Sequence, residues 1–339
     1  MRINRLTRNL NASACLLVRV LALALVLAAA IPCQAKREPT ASPVAEAGST
    51  LSAEVNRPIR DKWALVVGIS EFADKSHNLQ YPAKDARDFA EYLINEAGFA
   101  PDHVKVLLNS QASEKRILSE LGNRWLPRVA NPDDLVVLFF STHGSGAELD
   151  VGGQNYLVAY DTDVNDLYTS GIPMNRLAQD IKERIHCDRV VIFLDACHSG
   201  ATSVGAKGLS RVGVDADEFA VGSGQLVITS SSESQRSWES KTRENSVFTA
   251  ALLDALRSKG DKTALGDVFG ALKDRVQDTV LRERGVLQTP VMKSAWSGHE
   301  LVLAAQPVNR QPGLAGEEKG ESSTTPAAGN VHAVVSAGA

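Results

Sequence analysis

The chain has 339 residues, of which 44% are hydrophobic and 22% are charged, and this suits one globular core of ordinary size with additional tails. The net charge at pH 7 is −4. An acidic balance of this kind argues against nucleic acid as a partner.

The first 35 residues have the three-part layout of a secretory signal peptide, with four arginines, the apolar run VLALALVLAAAI and then PCQA. We expect cleavage after Ala35, export to the periplasm or the medium, and no stable membrane association afterwards. The alternative is an uncleaved membrane anchor, but twelve unbroken apolar residues are short of the roughly 20 that a spanning helix needs. Because residues 1–35 hold four of the 36 basic residues and no acid, the remainder has 32 basic and 40 acidic residues, a net charge of −8.

Removal of this segment also takes away Cys15 and Cys33, which leaves only Cys187 and Cys197. Two cysteines do not make the disulfide framework that is common in small exported proteins. A cysteine next to a histidine, as Cys197 is, is then a candidate for chemistry.

Composition divides the rest of the chain into three parts. Residues 36–60 are rich in Pro, Ala, Ser and charged residues, and this is typical of a linker. Residues 306–339 have few large apolar residues, and we expect a disordered tail. One domain is predicted between them, over residues 61–305.

Strand and helix patterns alternate along this domain. In chain order we predict a strand at 63–70, a helix at about 83–97, a strand at 103–108, a helix at about 113–129, a strand at 134–144, a helix at 174–185, strands at 189–197 and 224–232, and helices near 246–258 and 265–284. The strands are almost continuously Val, Ile, Leu and Phe, which indicates that both faces are covered. The sequence therefore predicts an α/β fold with a mostly parallel sheet between layers of helices.

Reactive residues follow two of the predicted strands. The segment FFSTHG places His143 after one strand, and FLDACHSG places Cys197 after another. Sites in open α/β sheets form beyond the carboxyl ends of the strands. Because side chains alternate along a strand, Ser141 lies on the same side as His143, and Asp195 lies on the same side as Cys197. We expect one wall of a cleft to carry all four.

These residue types suit nucleophilic catalysis. A thiolate at Cys197 is a nucleophile, and the imidazole of His143 can take the thiol proton and later protonate a leaving amine. The backbone N–H groups of Gly144 and Cys197 are candidates for an oxyanion hole. The structural alternative is that Cys197 is a small buried apolar residue and His143 an ordinary loop histidine.

The segments WALVVGIS, AKDA, STHG, DACHSG, FTAALLDAL and QTP resemble the caspase-like cysteine peptidases, specifically the metacaspase and bacterial orthocaspase branch. The resemblance covers roughly residues 62–303, and the separation of 54 positions from His143 to Cys197 fits the caspase separation of about 50. It implies a caspase-like α/β/α sandwich and a Cys197–His143 dyad that requires no third member. Peptide or protein substrates are implied as well, and we expect a monomer.

The same resemblance implies a specificity. Caspases carry Gln two residues before the nucleophile, whereas this chain has Asp195 there. In the metacaspase branch this aspartate and another in the "DA" motif bind a basic P1 side chain, and the counterparts here are Asp195 and Asp85, with Ser141 beside them. Cleavage after Arg or Lys is therefore expected. The alternative for Asp85 is that it only complements the dipole of its helix.

Two other functions stay open at this point. The chain could be an inactive caspase-like scaffold that binds partners, or a Cys-His amidase that acts on cell-wall peptides. The presence of the dyad, its glycines and both pocket acids favours an active endopeptidase. Trp238 either walls a neighbouring subsite or is an ordinary core tryptophan.

Two loops carry further predictions. The glycine-rich segment 203–224 is expected to be exposed, and its only basic residues, Lys207 and Arg211, are candidates for self-cleavage. The segment YDTDVND offers three weak candidate calcium ligands, Asp161, Asp163 and Asp166. A solvated loop is the favoured interpretation, so we expect no required cofactor and no calcium stimulation.

Overall fold

The computed structural model describes residues 58–196, 216, 224–232, 234–259, 262–294 and 301–314. The predicted signal peptide, most of the predicted linker and the tail beyond residue 314 lie outside these residues. Cys197 and the segment with Lys207 and Arg211 also lie outside them.

A six-stranded sheet forms the centre of the fold. Its strands are β1 (Lys62–Gly68), β2 (Val104–Leu108), β3 (Leu135–Ser141), β7 (Val190–Asp195), β8 (Gln225–Thr229) and β9 (Val291–Ser294). They lie side by side in the order β2-β1-β3-β7-β8-β9. Neighbouring strands are parallel except for the last pair, in which β9 runs antiparallel to β8. The predicted mostly parallel sheet is confirmed.

Helices cover both faces of this sheet. They are α1 (Pro82–Asn95), α2 (Glu114–Ser119), α3 (Leu126–Val129), α4 (Leu167–Ser170), α5 (Met174–Arg184), α6 (Val247–Lys259) and α7 (Leu265–Arg284). One core contains buried residues of α1, α6 and α7, and the other contains buried residues of α2, α3 and α5. The α/β/α arrangement is confirmed. None of the described helices is long and apolar enough to cross a membrane.

Strand β3 shows why the sequence produces a covered sheet. Val136, Leu138 and Phe140 belong to one core, and the alternate residues Val137 and Phe139 belong to the other. All of them are fully buried. Successive strand side chains point to opposite faces, so a continuous apolar strand needs a helix layer on each side.

The predicted helix at 113–129 is interrupted. It splits into α2, a single π-helical segment at Glu120–Arg124, and α3. Glu120 is fully buried, and its carboxylate lies 2.8 Å from Lys105 Nζ on β2 and 2.6 Å from Arg116 Nε. Pro127 has no N–H to continue a helix through the break. The pairing with Lys105 is a tertiary contact that helical periodicity does not predict.

A second, three-stranded sheet was not predicted. Its antiparallel strands β4 (Gly144–Ser145), β5 (Tyr156–Leu157) and β6 (Ile172–Pro173) have two residues each. Segments this short carry no readable alternation. His143 lies between the end of β3 and the start of this small sheet.

Residues outside the two predicted domain boundaries are paired with each other. The tail was predicted to begin at 306, yet the N–H groups of Val308 and Asn309 donate to the carbonyls of Ile59 and Arg60, at 2.9 Å each. Residues 58–60, placed in the linker, take part in this pairing. The contacts are mostly between backbone groups, so the polar composition of the segment did not indicate them.

Candidate functional site

The two predicted motifs are neighbours at the carboxyl edge of the sheet. Strands β3 and β7 are adjacent, and Ser141 is paired in register with Asp195. Cys197 lies outside the described residues, two positions beyond Asp195 in the sequence. The structure therefore places the strand end that leads to Cys197 beside the strand end that leads to His143.

The imidazole of His143 is held by a backbone group. Its Nε2 lies 2.7 Å from the carbonyl oxygen of His77, and Phe72 packs against the ring at 5.1 Å between centroids. A carbonyl oxygen only accepts, so Nε2 is the protonated nitrogen and a neutral ring has its lone pair on Nδ1. The role of His77 was not predicted from the sequence, because any residue type supplies a carbonyl.

Burial controls the protonation of His143. The side chain is almost completely enclosed, and this desolvation lowers the pKa of His143 to about 4, while the hydrogen bond to His77 opposes the shift and the His77 ring adds to it. The imidazole is neutral at neutral pH. A neutral imidazole is the form that accepts a proton from a thiol.

Gly144 lies where two backbone segments approach closely. A side chain at this position would put its Cβ 3.0 Å from the carbonyl oxygen of Ala196 and 3.5 Å from that of Tyr156. The first contact is with backbone, so a larger residue would require one of the two segments to shift by a few tenths of an ångström. The backbone of Gly144 consequently lies beside the residue that precedes Cys197.

Asp85, Ser141 and Asp195 are brought together, as the sequence predicted. Asp85 is in the first turn of α1 and is fully buried, and the hydroxyl of Ser141 donates to it at 3.4 Å. Ser246, just before α6, contacts both acids: its backbone N–H donates to Asp85 at 3.1 Å and its hydroxyl donates to Asp195. Ser246 therefore links the two acids, since it donates a hydrogen bond to each of them.

Neutral donors complete the surroundings of both acids. Asn245 donates to Asp85 at 2.9 Å, and the hydroxyls of Ser237 and Thr249 donate to Asp195 at 3.1 and 3.0 Å. Within the part of the chain that the structure describes, no Lys, Arg or His forms an ion pair with either acid. This is unusual, since buried carboxylates are normally paired with a cation.

The pKa values of the two acids follow from this arrangement. Burial is the main factor that raises the pKa of Asp85 well above its ordinary value, and the negative charge of Asp195 raises it further. Burial also raises the pKa of Asp195, against the effect of its hydroxyl donors. The pair holds a proton more readily than two exposed carboxylates do.

A small pocket leads to these acids. Its volume is about 20 Å³, which is near the space that one water molecule needs. Besides Asp85, Ser141 and Asp195 it is lined by Leu79, Pro82, Thr142, Ser237, Trp238, Glu239 and Ser246. Trp238 thus lines the pocket and also packs against the core. Glu239 was not predicted, because nothing in its local sequence marks it.

The three predicted calcium candidates are engaged in local hydrogen bonds. Asp161 accepts from the N–H of Glu114, Asp163 from Asn165, and Asp166 from the hydroxyl of Thr169. Among the residues described, no group of three or more His, Cys, Asp or Glu side chains is arranged to hold a metal ion.

The fold and the site define an α/β protein with a buried histidine and a pair of carboxylates at the carboxyl edge of a mostly parallel sheet. Residues 61–299 match the family model of the caspase domain, a peptidase family. The match spans well over half of the chain. The chain therefore belongs to the caspase-domain family of cysteine-type peptidases.

Part of the chain is similar to metacaspases. The chain is 30% identical over 147 residues to metacaspase-1 of Yarrowia lipolytica, an alignment that covers 41% of this chain and 31% of that protein. It is 28% identical over 153 residues to metacaspase-3 of Arabidopsis thaliana, covering 42% and 41% respectively. The chain thus spans about a third to two fifths of the length of these relatives.

A solved structure shares the fold. The crystal structure of a protein from Geobacter sulfurreducens superimposes with a TM-score of 0.51 at 18% identity, covering 70% of this chain and 94% of that one. At this level of identity the likeness shows the fold alone.

Proposed function

We propose that this chain is a cysteine endopeptidase that uses a Cys197–His143 dyad and cleaves peptide bonds after Arg or Lys. Membership of the caspase-domain family supports the peptidase class. One observation carries the specificity: the buried Asp85 and Asp195 have neutral donors but no cation among the described residues. A basic substrate side chain would supply the missing charge.

The chemistry follows from the protonation of His143. The neutral ring, protonated on Nε2 and oriented by the His77 carbonyl, accepts the thiol proton of Cys197 on Nδ1. The thiolate attacks the carbonyl carbon of the scissile bond, and the N–H groups of Gly144 and Cys197 stabilise the oxyanion. The imidazolium then protonates the leaving amine. A water molecule, deprotonated by the same ring, hydrolyses the thioester and restores the thiol.

Electrostatics predicts which P1 side chains are preferred. Two carboxylates held close together repel each other, and a guanidinium between them removes the repulsion and bonds to both. A planar guanidinium suits such bidentate contacts better than the point charge of an ammonium, so Arg is expected to exceed Lys. An acidic P1 side chain would add a third negative charge and is expected not to be cleaved.

The pocket has to enlarge when a substrate binds. Its volume of about 20 Å³ is close to that of one water molecule and too small for an arginine side chain. The hydroxyl and amide donors on Asp85 and Asp195 would then give way, in part, to the substrate. Such an exchange is favourable because a cation neutralises the charge of the carboxylates, which hydroxyl and amide donors do not.

A peptide series that differs only at P1 tests the proposal. We expect turnover with Arg and Lys, none with Asp, and none for any peptide with Cys197→Ala. Asp195→Ala is expected to lower kcat/KM for the arginine substrate by at least about 2 kcal/mol, or roughly 30-fold, on the scale of a lost charged partner. Asp163→Ala, at an exposed acid that does not line the pocket, is the matched control.

Four outcomes would contradict the proposal. Activity in Cys197→Ala would show that Cys197 is not the nucleophile. A preference for Asp at P1 would show that the pocket does not bind a basic side chain. No turnover of any peptide would favour an inactive scaffold, whereas turnover of cell-wall peptides alone would favour an amidase.

Maturation, calcium and export remain predictions. We propose self-cleavage after Lys207 or Arg211, which mass spectrometry of the purified active protein would detect as new termini. We also propose that activity is equal in chelator and in millimolar calcium. Export is tested by the location and N-terminus of the expressed full-length chain.

A further inference from the structure

We propose that Glu239 is a third acidic determinant of the P1 preference and also a positioning residue for His143. The inference rests on the proposed function and concerns the same site. It follows from where the side chain of Glu239 lies and from the two backbone groups that it holds.

Glu239 belongs to a short hairpin that forms one wall of the pocket. The hairpin covers residues 238–247 and is closed by bonds from Val247 N–H to the Trp238 carbonyl at 2.9 Å and from Ser240 N–H to the Asn245 carbonyl at 3.2 Å. Glu239 is paired with Ser246 across it. Ser246 is the residue that donates to both Asp85 and Asp195. The hairpin therefore places a third acidic side chain in the lining of the pocket that contains the other two.

The two carboxylate oxygens of Glu239 have different surroundings. Its Oε1 accepts the N–H groups of Gln80 and Tyr81 at 2.8 and 3.1 Å, at the N-terminus of the helix α1 that carries Asp85. Its Oε2 has no hydrogen-bond partner within the ranges that the structure covers. The side chain is half-buried and lines the pocket. One oxygen thus fastens the hairpin to the start of α1, and the other adds negative charge to the pocket.

The position of Glu239 differs from that of Asp85 and Asp195. Those two are almost fully enclosed and their oxygens accept from neutral groups, so they lie at the closed end of the pocket. Glu239 is more exposed and lies at its open side. A P1 cation would meet the charge of Glu239 before it reaches the deeper pair. The charge should therefore affect KM for basic substrates and leave neutral ones unaffected.

The Oε1 contacts extend to the catalytic histidine. Gln80 lies three residues after His77, whose carbonyl orients His143, and the N–H of Leu79 donates to the Ser70 carbonyl at 2.8 Å. The loop that contains His77 is therefore fixed at Leu79 and at Gln80. If the acceptor at Gln80 is lost, the His77 carbonyl and with it the imidazole lose part of their support. The acceptor should therefore affect kcat for every substrate.

A purely structural role makes a different prediction. An acid that only caps α1 would act through stability, and its substitution would change all substrates equally. Gln retains an acceptor for the two N–H groups but has no charge, whereas Ala has neither. Comparison of Glu239→Gln with Glu239→Ala therefore separates the charge from the acceptor.

The experiment measures kcat and KM for two peptides that differ only at P1, one with arginine and one with citrulline, its uncharged isostere. Glu239→Gln is expected to raise KM for arginine about fivefold, the upper range for a partly exposed charge, with kcat and the citrulline constants unchanged. Glu239→Ala should in addition lower kcat at least fivefold for both peptides. Glu244→Gln, an exposed acid of the same hairpin, should equal the wild type.

The outcomes separate the two proposals. A wild-type enzyme that does not prefer arginine to citrulline overturns the proposed function and this inference together. A wild type with that preference, but with Glu239→Gln retaining all of it, overturns the inference alone. Equal losses on both peptides in Glu239→Gln would also overturn it and indicate a cap. Melting temperatures establish that the variants are folded, and Glu239→Gln decides the matter if Glu239→Ala is not.

Discussion

The two ends of the central sheet bury charged side chains in opposite ways. At the carboxyl end, Asp85 and Asp195 are enclosed with neutral donors and with each other. At the amino end, Asp61 lies 3.2 Å from the ring of the fully buried His103, so an acid there has a basic partner. Buried charges are stable when they are paired and costly when they are not.

The basic groups at the amino end are also satisfied. The ammonium of Lys62 donates to the carbonyls of Ala97 and Leu303 at 2.8 Å each, and Arg189 donates to the carbonyls of Asp133 and Asp134. Burial, and to a lesser extent Arg310, lowers the pKa of Lys62 to about 7.

The partners of the buried acids distinguish a structural role at the amino end of the sheet from a functional role at the carboxyl end. The amino end joins β1 and β2 to the segment 301–314, and its buried acid Asp61 has a basic partner in His103. The carboxyl end buries two acids together with no cation among the described residues, which costs stability and suits the pair to bind a cation from outside. An acid that has a basic partner inside the chain supports the fold, whereas a pair of acids that lacks such a partner is suited to bind a cation.

Asp61→Ala tests the amino end and has the largest expected effect. The carboxylate accepts the N–H groups of Lys62 and Gln311 at 2.8 and 2.6 Å and faces His103, all of which would be left without it. We expect a loss of about 3–5 kcal/mol in the free energy of unfolding, the scale for breaking a buried pair. Urea denaturation measures it, with Asp274→Ala, an exposed acid on α7, as the control.

The P1 preference of folded Asp61→Ala should equal that of the wild type. An altered ratio of arginine to citrulline cleavage would show that the two ends are coupled, and would break the comparison.

The second prediction concerns pH and the carboxyl end. Because the pKa values of Asp85 and Asp195 are raised, protons compete with a P1 cation for the pair as pH falls. We expect KM for the arginine peptide to rise about tenfold per pH unit wherever the pair is protonated. The citrulline peptide should show no such rise, and kcat should be unaffected by His143 until pH approaches about 4. A KM that rises equally for both peptides would contradict the prediction.

The smallest effect on the free energy of unfolding is expected for Asp85→Asn. A carboxyl group whose folded-state pKa is raised loses folding stability as pH rises above its unfolded value, so the wild type is destabilised at neutral pH by this pair. An amide removes one charge and keeps an oxygen acceptor for Asn245 and Ser246. We expect a gain of about 1 kcal/mol in the free energy of unfolding, together with a loss of arginine preference.

Urea denaturation at pH 5 and pH 8 checks this prediction. The advantage of Asp85→Asn over the wild type should widen towards pH 8. An equal advantage at both values would mean that the carboxyl pair does not carry the effect.

Local pattern predicted the sheet and the neighbourhood of the site. Continuous apolar strands flanked by helical periodicity indicated a covered parallel sheet, and the register of Ser141 with Asp195 agrees with strand ends that meet at one edge. The interruption of the helix at 113–129 was not predicted; at the break, Glu120 contacts Lys105 on another element, and helical periodicity carries no information on such a contact.

The sequence by itself determined the fold class, the family and the residue types that lie at the carboxyl edge, since these depend on periodicity and on short motifs at strand ends. Only the tertiary structure decided that the His77 carbonyl holds His143 and that Glu239 holds the start of α1. Both contacts use backbone groups, which every residue type provides. They join positions 66 and 159 residues apart, and only the packing of the folded chain brings such positions together.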